Sequence, residues 1–274
     1  MPNDPELLKI AVEIVLRAGE MQMMHFGRDV QIRKKGIIDL VTQVDIEIEQ
    51  MARKKIGEKF PSHAVLAEEL SDSSSSEIES SGYCWIFDPI DGTVNYAHGL
   101  PIFCSSLAIE VDGHVEIGVV YDPTREELFV AQRGSGASLN GTPLLVSSTP
   151  ILLDSILCTG FPYDIHDMGD DVISLFGAFV KQARAVRRLG SAALDLCYVA
   201  AGRLDGFWEQ RLQAWDIAAG ALLVKEAGGC VTDLSGKDLD IRIGDVLASN
   251  CSLHGQMCEI IRNFVANNLL KRKD

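Results

Sequence analysis

Several things are missing from this sequence, and each absence removes a class of protein. There is no excess of positive charge: 25 lysines and arginines stand against 39 acids, for a net charge of −14 at pH 7. Nucleic acids and anionic membranes are drawn to basic surfaces, so neither is an expected partner. No apolar run reaches the roughly 20 residues a membrane helix needs, and no basic-then-apolar leader opens the chain. The seven cysteines (Cys84, Cys104, Cys158, Cys197, Cys230, Cys251 and Cys258) include no C-x-x-C pair. They are scattered and mostly in apolar segments. They read as reduced, buried thiols of a cytoplasmic protein, not as a zinc site or a disulfide framework.

What is present is a chain of 274 residues, 47% hydrophobic and 23% charged, an ordinary globular composition with room for one large domain or two modest ones. Residues 4–26 carry Leu7, Ile10, Ala11, Ile14, Val15, Ala18 and Met21 at helical spacing, with Asn3 or Asp4 as cap and Gly27 as stop. A short strand at Val30–Arg33 and a helix running to Phe60 follow, then a brief strand, Ala64–Ala67, that ends in Glu68-Glu69. Ser71–Gly82 is a Ser- and acid-rich loop of the kind that stays solvated. Residues 102–149 read as a meander with strands at Phe103–Val111, Val115–Tyr121 and Leu128–Gln132, turning at Asp112-Gly113 and Asn140-Gly141.

After Pro150 the pattern changes to alternation. Strands are expected at 155–160, 184–188, 204–208, 229–234 and 246–249, and helices at 168–182, 191–201, 216–227 and 253–271. That order implies a parallel or mixed sheet covered by helices. The reading is therefore α/β with an α+β first half. Residues 1–150 form a subdomain with an antiparallel sheet carrying Glu68, Asp88 and Asp91. Residues 151–274 form an α/β subdomain carrying Gly190–Ala192, Glu209 and Asp216, and the two share a cleft.

The most informative stretch runs from Tyr83 to Thr93. An apolar strand, Tyr83–Phe87, delivers Asp88 and Asp91 with Pro89 between them, then Gly92-Thr93 and a helix start through Ala97 whose free N–H groups hold an anion. Two fixed carboxylates beside an anion-holding turn contradict one another unless hard divalent cations intervene, and Mg²⁺ uses carboxylates together with substrate phosphate. A capping turn without metal is the other reading of this motif alone. The same duality holds elsewhere: Thr42 and Asp45 as helix caps, Ser191 in Leu189-Gly190-Ser191 as an N-cap, Glu209 as a solvated rim acid, Asp216 in Ala214-Trp215-Asp216 as an N-cap.

Taken together, D-P-I-D-G-T at 88–93 and W-D-I-A-A-G at 215–220, preceded by the Glu68-Glu69 strand end, resemble the inositol monophosphatase family of Mg²⁺-dependent sugar-phosphate phosphatases over essentially the whole chain. The resemblance implies a layered α-β-α-β-α sandwich. It implies metal ligands at Glu68, Asp88, Asp91, Asp216 and the Ile90 carbonyl, holding two or three Mg²⁺ ions per site. It implies catalytic roles for Thr93, Asp45 and Glu68, the Thr93–Asp45 pair orienting the attacking water. Substrate contacts are implied at Glu68, Ile90, Asp91, Gly92, Thr93, Gly190, Ser191, Ala192, Glu209 and Asp216.

Two metals about 3.5–4 Å apart serve both the attacking and the leaving oxygen of an in-line displacement. The implied substrate is inositol 1-phosphate or a related sugar or polyol phosphate. Fructose-1,6-bisphosphatase, histidinol-phosphate phosphatase and 3′-phosphoadenosine nucleotidase are relatives, and a regulatory protein-binding scaffold is the reading from another class. The family also implies sensitivity to Li⁺ and a homodimer, with neither nucleic acid nor membrane as partner. The Ser-rich loop 71–82 and Gln210–Gln213 lie outside the family pattern.

Overall fold

The structure, a computed structural model, describes residues 5–28, 32–34, 40–70, 81–162, 165 and 171–271. The first half supplies α1 (Pro5–His25), β1 (Ile32–Lys34), β2 (Leu40–Thr42), α2 (Gln43–Lys59), β3 (Ala64–Ala67), β4 (Tyr83–Asp91) and α3 (Thr93–Ala97). Then come β5 (Cys104–Val111), β6 (His114–Asp122), β7 (Glu127–Gln132), β8 (Gly136–Leu139) and β9 (Thr142–Pro143). The second half supplies β10 (Ile156–Thr159), α4 (Asp171–Val180), β11 (Ala185–Arg187), α5 (Ala192–Ala200), β12 (Gly206–Glu209), α6 (Ala214–Glu226), β13 (Cys230–Thr232), β14 (Val246–Ser249) and α7 (Cys251–Lys271). The expected cap at Asn3 or Asp4, Val30 of the first strand and residues 71–80 of the Ser-rich loop lie outside the described residues.

β3 to β9 form one seven-stranded sheet in sequence order, antiparallel except for the parallel β3–β4 pair. The second sheet has the order β11-β10-β12-β14-β13, parallel across its first three strands and antiparallel thereafter. Side-chain alternation assigns the faces. On β4, Trp85 and Phe87 join Ile10, Ile14, Ile48 and Ile56 of α1 and α2, while Cys84 and Ile86 join the α5 and α6 side chains. On the second sheet, Phe207 and Ala248 face α5 and α6, and Trp208 and Leu247 face α4 and α7. The layers are thus α1/α2, sheet, α5/α6, sheet, α4/α7. β4 is apolar without a break because both of its faces are covered.

The small residues after Asp216 set how deeply α6 sits. A Cβ added at Gly118 of β6 would lie 2.8 Å from the Ala219 carbonyl oxygen, and one at Gly220 would lie 2.6 Å from the Leu196 side chain of α5. α6 is therefore clamped between sheet and helix, which fixes its first turn.

One expectation is corrected. The cysteines are not all reduced: Cys230 and Cys251 form a disulfide, with Cα atoms 5.2 Å apart across a separation of 21 residues. The cause is tertiary. β13 pairs antiparallel with β14, setting Cys230 opposite Ser249, and α7 begins two residues later at Cys251. The other five cysteines are free and buried, as expected. Among the described residues, no helix is long and apolar enough to cross a membrane.

Candidate active site and metal centre

The site is built where β4 ends. The β4–β5 register shifts between Asp88 and Asp91, and this irregularity admits Pro89, which has no N–H for the ladder. Gln22 of α1, fully buried, braces the bend: its Nε2 donates to the Pro89 carbonyl (2.8 Å) and to Ser105 Oγ (2.9 Å), and Ser105 Oγ donates to Pro89 O (2.8 Å). Gly92 then turns the chain with φ 100°, a conformation that suits glycine. A Cβ there would lie 2.9 Å from the Ile102 carbonyl oxygen and 3.2 Å from that of Gly190, so the two glycine turns abut.

Asp88, Asp91 and Asp216 each offer a carboxylate oxygen within 4.8 Å of the others'. Asp216 is not the N-cap of α6. The helix starts two residues earlier, and Asp216 spends Oδ2 on the Gln213 N–H (2.7 Å). Asp91 Oδ2 accepts from Ser191 Oγ and from the Ala193 N–H, both at 2.7 Å. Ser191 is also the N-cap of α5, so its capping and site roles coexist. Glu68 follows the last residue of β3, whose Ala67 pairs with Phe87 beside Asp88, and its charge bears on Asp88, Asp91 and Asp216.

The fit of a metal is testable on the protein alone. Asp88 Oδ1 is buried with no hydrogen-bond partner, a costly state for a carboxylate oxygen. Burial first, and then the neighbouring acids Glu68, Asp91, Asp216 and Asp45, push the Asp88 carboxyl well above the usual range. Burial raises Asp91 to about 6, against the hydrogen bonds from Ser191 and Ala193 that lower it. Asp216 is raised well above its ordinary value, by burial first and then by Asp91 and Glu68. An all-oxygen cluster of acids that cannot comfortably ionise together, with one oxygen unpartnered, fits hard divalent cations.

Asp45 stands in the first turn of α2. Its Oδ2 accepts from the backbone N–H (2.9 Å) and the hydroxyl of the N-cap Thr42, and its Oδ1 faces Thr93 Oγ1 at 3.5 Å. The Thr93 hydroxyl donates to the Ile90 carbonyl at 2.8 Å. Capping therefore occupies one oxygen of the Asp45 carboxylate and leaves the other facing Thr93.

Glu209 ends β12 with its carboxyl buried. Burial and then Asp195 push it well above the ordinary range, with Arg188 pulling the other way. Asn95 Nδ2 donates to the carbonyls of Ile102 (2.8 Å) and Leu189 (2.9 Å), tying the Gly190 turn to the segment after α3. All the expected acids therefore converge on one region, with Ala192 opening α5 beside it.

Sequence reasoning missed Glu49, Gly160, Asp195 and Gln22. Glu49 lies one helical turn after Asp45, and its buried carboxylate accepts from the Glu69 N–H (2.7 Å), the Leu70 N–H (3.2 Å) and Arg53 Nε (2.7 Å), fastening the segment that carries Glu68. Its 3.6-residue phase with Asp45 was the available signal. Glu49→Gln removes one accepting oxygen and the partner of Arg53. Apparent Mg²⁺ affinity is expected to fall about tenfold, as for other groups that orient a ligand; an Mg²⁺ titration of activity measures it, and an unchanged midpoint would refute the link. Gly160 left no signal: a Cβ there would overlap the Glu209 carboxylate. A cavity of about 1100 Å³ opens elsewhere, over the side of α6 marked by Ala218, Leu222 and Lys225, and contains none of the expected site residues.

Residues 3–266 match the sequence profile of the inositol monophosphatase family. The chain belongs to that family. An inositol-1-monophosphatase from Synechocystis sp. is 41% identical over 262 residues, covering 95% of this chain and 90% of the relative. The Nus factor SuhB of Pseudomonas aeruginosa is 42% identical over 252 residues, covering 89% of this chain and 91% of the relative. The crystal structure of the extragenic suppressor protein SuhB from Bartonella henselae superposes with a TM-score of 0.87 at 35% identity, covering 93% of this chain and 98% of that one. An IMPase/NADP phosphatase complexed with Mg²⁺ and phosphate superposes with a TM-score of 0.82 at 27% identity, covering 93% and 95%. The layered fold read from the family resemblance is the fold observed.

Proposed function

We propose that this inositol monophosphatase family member is an Mg²⁺-dependent phosphoric monoester hydrolase acting on inositol 1-phosphate or a related sugar or polyol phosphate. The observation that carries the reading is the cluster of Asp88, Asp91 and Asp216 carboxylates within 4.8 Å, with its unpartnered Asp88 oxygen, set beside the Thr93–Asp45 pair. Glu68, Asp88, Asp91, Asp216 and the Ile90 carbonyl would hold the ions, two or three of them. When bound, Mg²⁺ supplies positive charge for the phosphoryl oxygens and lowers the pKa of a coordinated water.

The protein's own groups do the rest. Thr93 Oγ1, held by the Ile90 carbonyl and aimed at Asp45, orients the attacking water, and Asp45 takes up its proton. The backbone at Gly92 and Thr93 receives phosphate oxygens, while Glu209 and the Gly190–Ala192 turn receive hydroxyls of the alcohol. Little covalent chemistry is asked of the chain; positioning and charge compensation carry the rate.

The test is phosphate release with and without Mg²⁺ from myo-inositol 1-phosphate, fructose 1,6-bisphosphate and histidinol phosphate. Turnover is expected with the first and inhibition by Li⁺. No release from any of the three by folded protein would overturn the reading. Thr93→Ala is expected to lower kcat by about 10²-fold with little change in Mg²⁺ affinity, the size typical of lost general acid–base assistance. A change in KM alone would make Thr93 a binding group.

The relatives named Nus factor SuhB favour a second reading, a protein-binding scaffold. The acid set needed for catalysis is complete, which supports an enzyme with or without such a role. A homodimer and a cytoplasmic setting belong to the same proposal, and the mass in solution tests the first.

A further inference from the structure

One buried side chain beside the site is held in an arrangement that stability alone does not explain. Gln22 lies in the last turn of α1 and is completely buried. Its Nε2 has two acceptors, the Pro89 carbonyl and Ser105 Oγ, but its Oε1 has no partner. A buried amide oxygen without a donor is a costly state that folded proteins rarely leave in place. Turning the amide over would not remedy it, because Oε1 would then face the Pro89 carbonyl oxygen, acceptor against acceptor. Nor does that carbonyl depend on Gln22 to be satisfied, since Ser105 Oγ already donates to it at 2.8 Å. An apolar side chain of similar length would avoid the orphaned oxygen and leave the carbonyl paired.

What Gln22 adds is a closed circuit of hydrogen bonds around the Ile90 carbonyl. The Tyr96 hydroxyl of α3 donates to the Gln22 backbone carbonyl at 2.8 Å, so α3 fixes where the amide stands. Gln22 Nε2 in turn gives the Pro89 carbonyl a second donor beside Ser105 Oγ, and two donors fix the orientation of an oxygen as one does not. The peptide between Pro89 and Ile90 is planar, so holding its oxygen sets the plane from which the Ile90 carbonyl departs. That carbonyl receives the Thr93 hydroxyl at 2.8 Å, and Thr93 opens α3. The circuit runs Thr93, Tyr96, Gln22, Pro89, Ile90 and back to Thr93. It encloses the stretch between Asp88 and Asp91, where the β4–β5 register shifts and the strand ladder is interrupted.

We propose that Gln22 is a positioning residue. Through the Pro89 peptide it sets the Ile90 carbonyl and the spacing of Asp88 and Asp91 for the ions, and its orphaned oxygen is the cost in stability of that placement. This inference rests on the phosphatase reading above, with Mg²⁺ held by those groups.

The test separates stability from ion binding. Gln22→Met keeps a side chain of similar length and helix preference and removes both the donor and the orphaned oxygen. Its Tm in EDTA is expected to stay within about 4 °C of the wild type, because the lost hydrogen bonds and the relieved oxygen nearly offset. Its calorimetric Mg²⁺ affinity is expected to fall about tenfold, as for other groups that orient a metal ligand. At saturating Mg²⁺, kcat should fall by a similar factor with KM unchanged. Ser105→Ala leaves the Gln22 donor in place and should weaken Mg²⁺ binding less. The double variant should weaken it by more than the product of the two, since the Pro89 carbonyl then has neither donor. Unchanged Mg²⁺ affinity in Gln22→Met, or effects that simply multiply, would overturn the proposal. A larger fall of Tm in EDTA would make Gln22 a prop of the whole fold and would equally overturn it. Absence of Mg²⁺ binding and of phosphate release in the wild type would instead defeat the phosphatase reading, and this inference with it.

Discussion

Asp91→Asn and Asp216→Asn should each lower kcat by about 10³-fold or more and leave a folded protein behind. The arrangement explains both halves of that outcome. An amide keeps one accepting oxygen, enough to hold the Ser191 and Ala193 donors at position 91 or the Gln213 N–H at position 216. What it loses is the negative charge that a bound cation needs, and an uncompensated deficit at a buried charged site costs about 3–5 kcal/mol, or about 10³-fold in rate. Without metal, each substitution also relieves repulsion among Asp88, Asp91 and Asp216, so the metal-free variants should melt no lower than the wild type. Phosphate release, a thermal melt in EDTA and a calorimetric Mg²⁺ titration together measure this. Activity within tenfold of wild type would remove the residue concerned from the metal centre.

Stabilisation by Mg²⁺ should grow steeply with pH. Asp91 titrates at about 6 in the fold against an ordinary 3.8, because burial disfavours its charge. A carboxyl with a raised folded-state pKa favours folding while it is protonated. That contribution is complete at low pH and is lost as pH rises through the window from about 4 to about 6. For Asp91 alone the loss is about 3 kcal/mol, and Asp88 and Asp216 shift in the same direction. A bound cation reverses the preference, since it binds the ionised acids. Only about half of the Asp91 loss, roughly 1.4 kcal/mol, falls between about pH 5 and about pH 8, so the Tm difference between Mg²⁺-saturated and EDTA-treated protein should be small near about pH 5 and about 3–6 °C larger near about pH 8, at 2–4 °C per kcal/mol for a chain of this size. A difference that is flat with pH, or that shrinks toward alkaline conditions, would mean the acids are not the ion's ligands.

The readability of this chain follows the range of the forces involved. β4 and its acids were legible because a doubly buried strand must be apolar throughout, and because a proline and a glycine around two carboxylates admit few geometries. The hairpins at Asp112-Gly113 and Asn140-Gly141 were equally plain: all four residues carry positive φ. β14 was read to the residue, whereas β8, β9 and β2 were missed, being two to four residues long and held by their neighbours rather than by pattern.

The start of α6 was misplaced by two residues. Gln213, not one of the favoured capping types, opens the helix, and Asp216 works from inside its first turn. The Cys230–Cys251 bridge and the packing of Gly160 against Glu209 depend on strands that meet only in the finished fold, so no local signal announced them. The candidate site was legible as a set of acids. Its supports, Gln22, Glu49 and Asp195, were not, because a buried polar residue in a helix looks like a surface one until the neighbouring layer is known.

The two short hydrogen bonds to Asp91 have a consequence for how the molecule comes together. Their donors, Ser191 and Ala193, open a helix that follows the second sheet's first strands, while Asp91 closes a strand of the other sheet. The acid cluster is consequently not the property of either sheet, and a nascent chain that has finished only its amino-terminal half lacks Asp216. On the proposed metal reading, ion affinity would work as a gauge of assembly: tight capture would become available only at the last docking step, and loosening the seam between the sheets would release the ions before either sheet unravels.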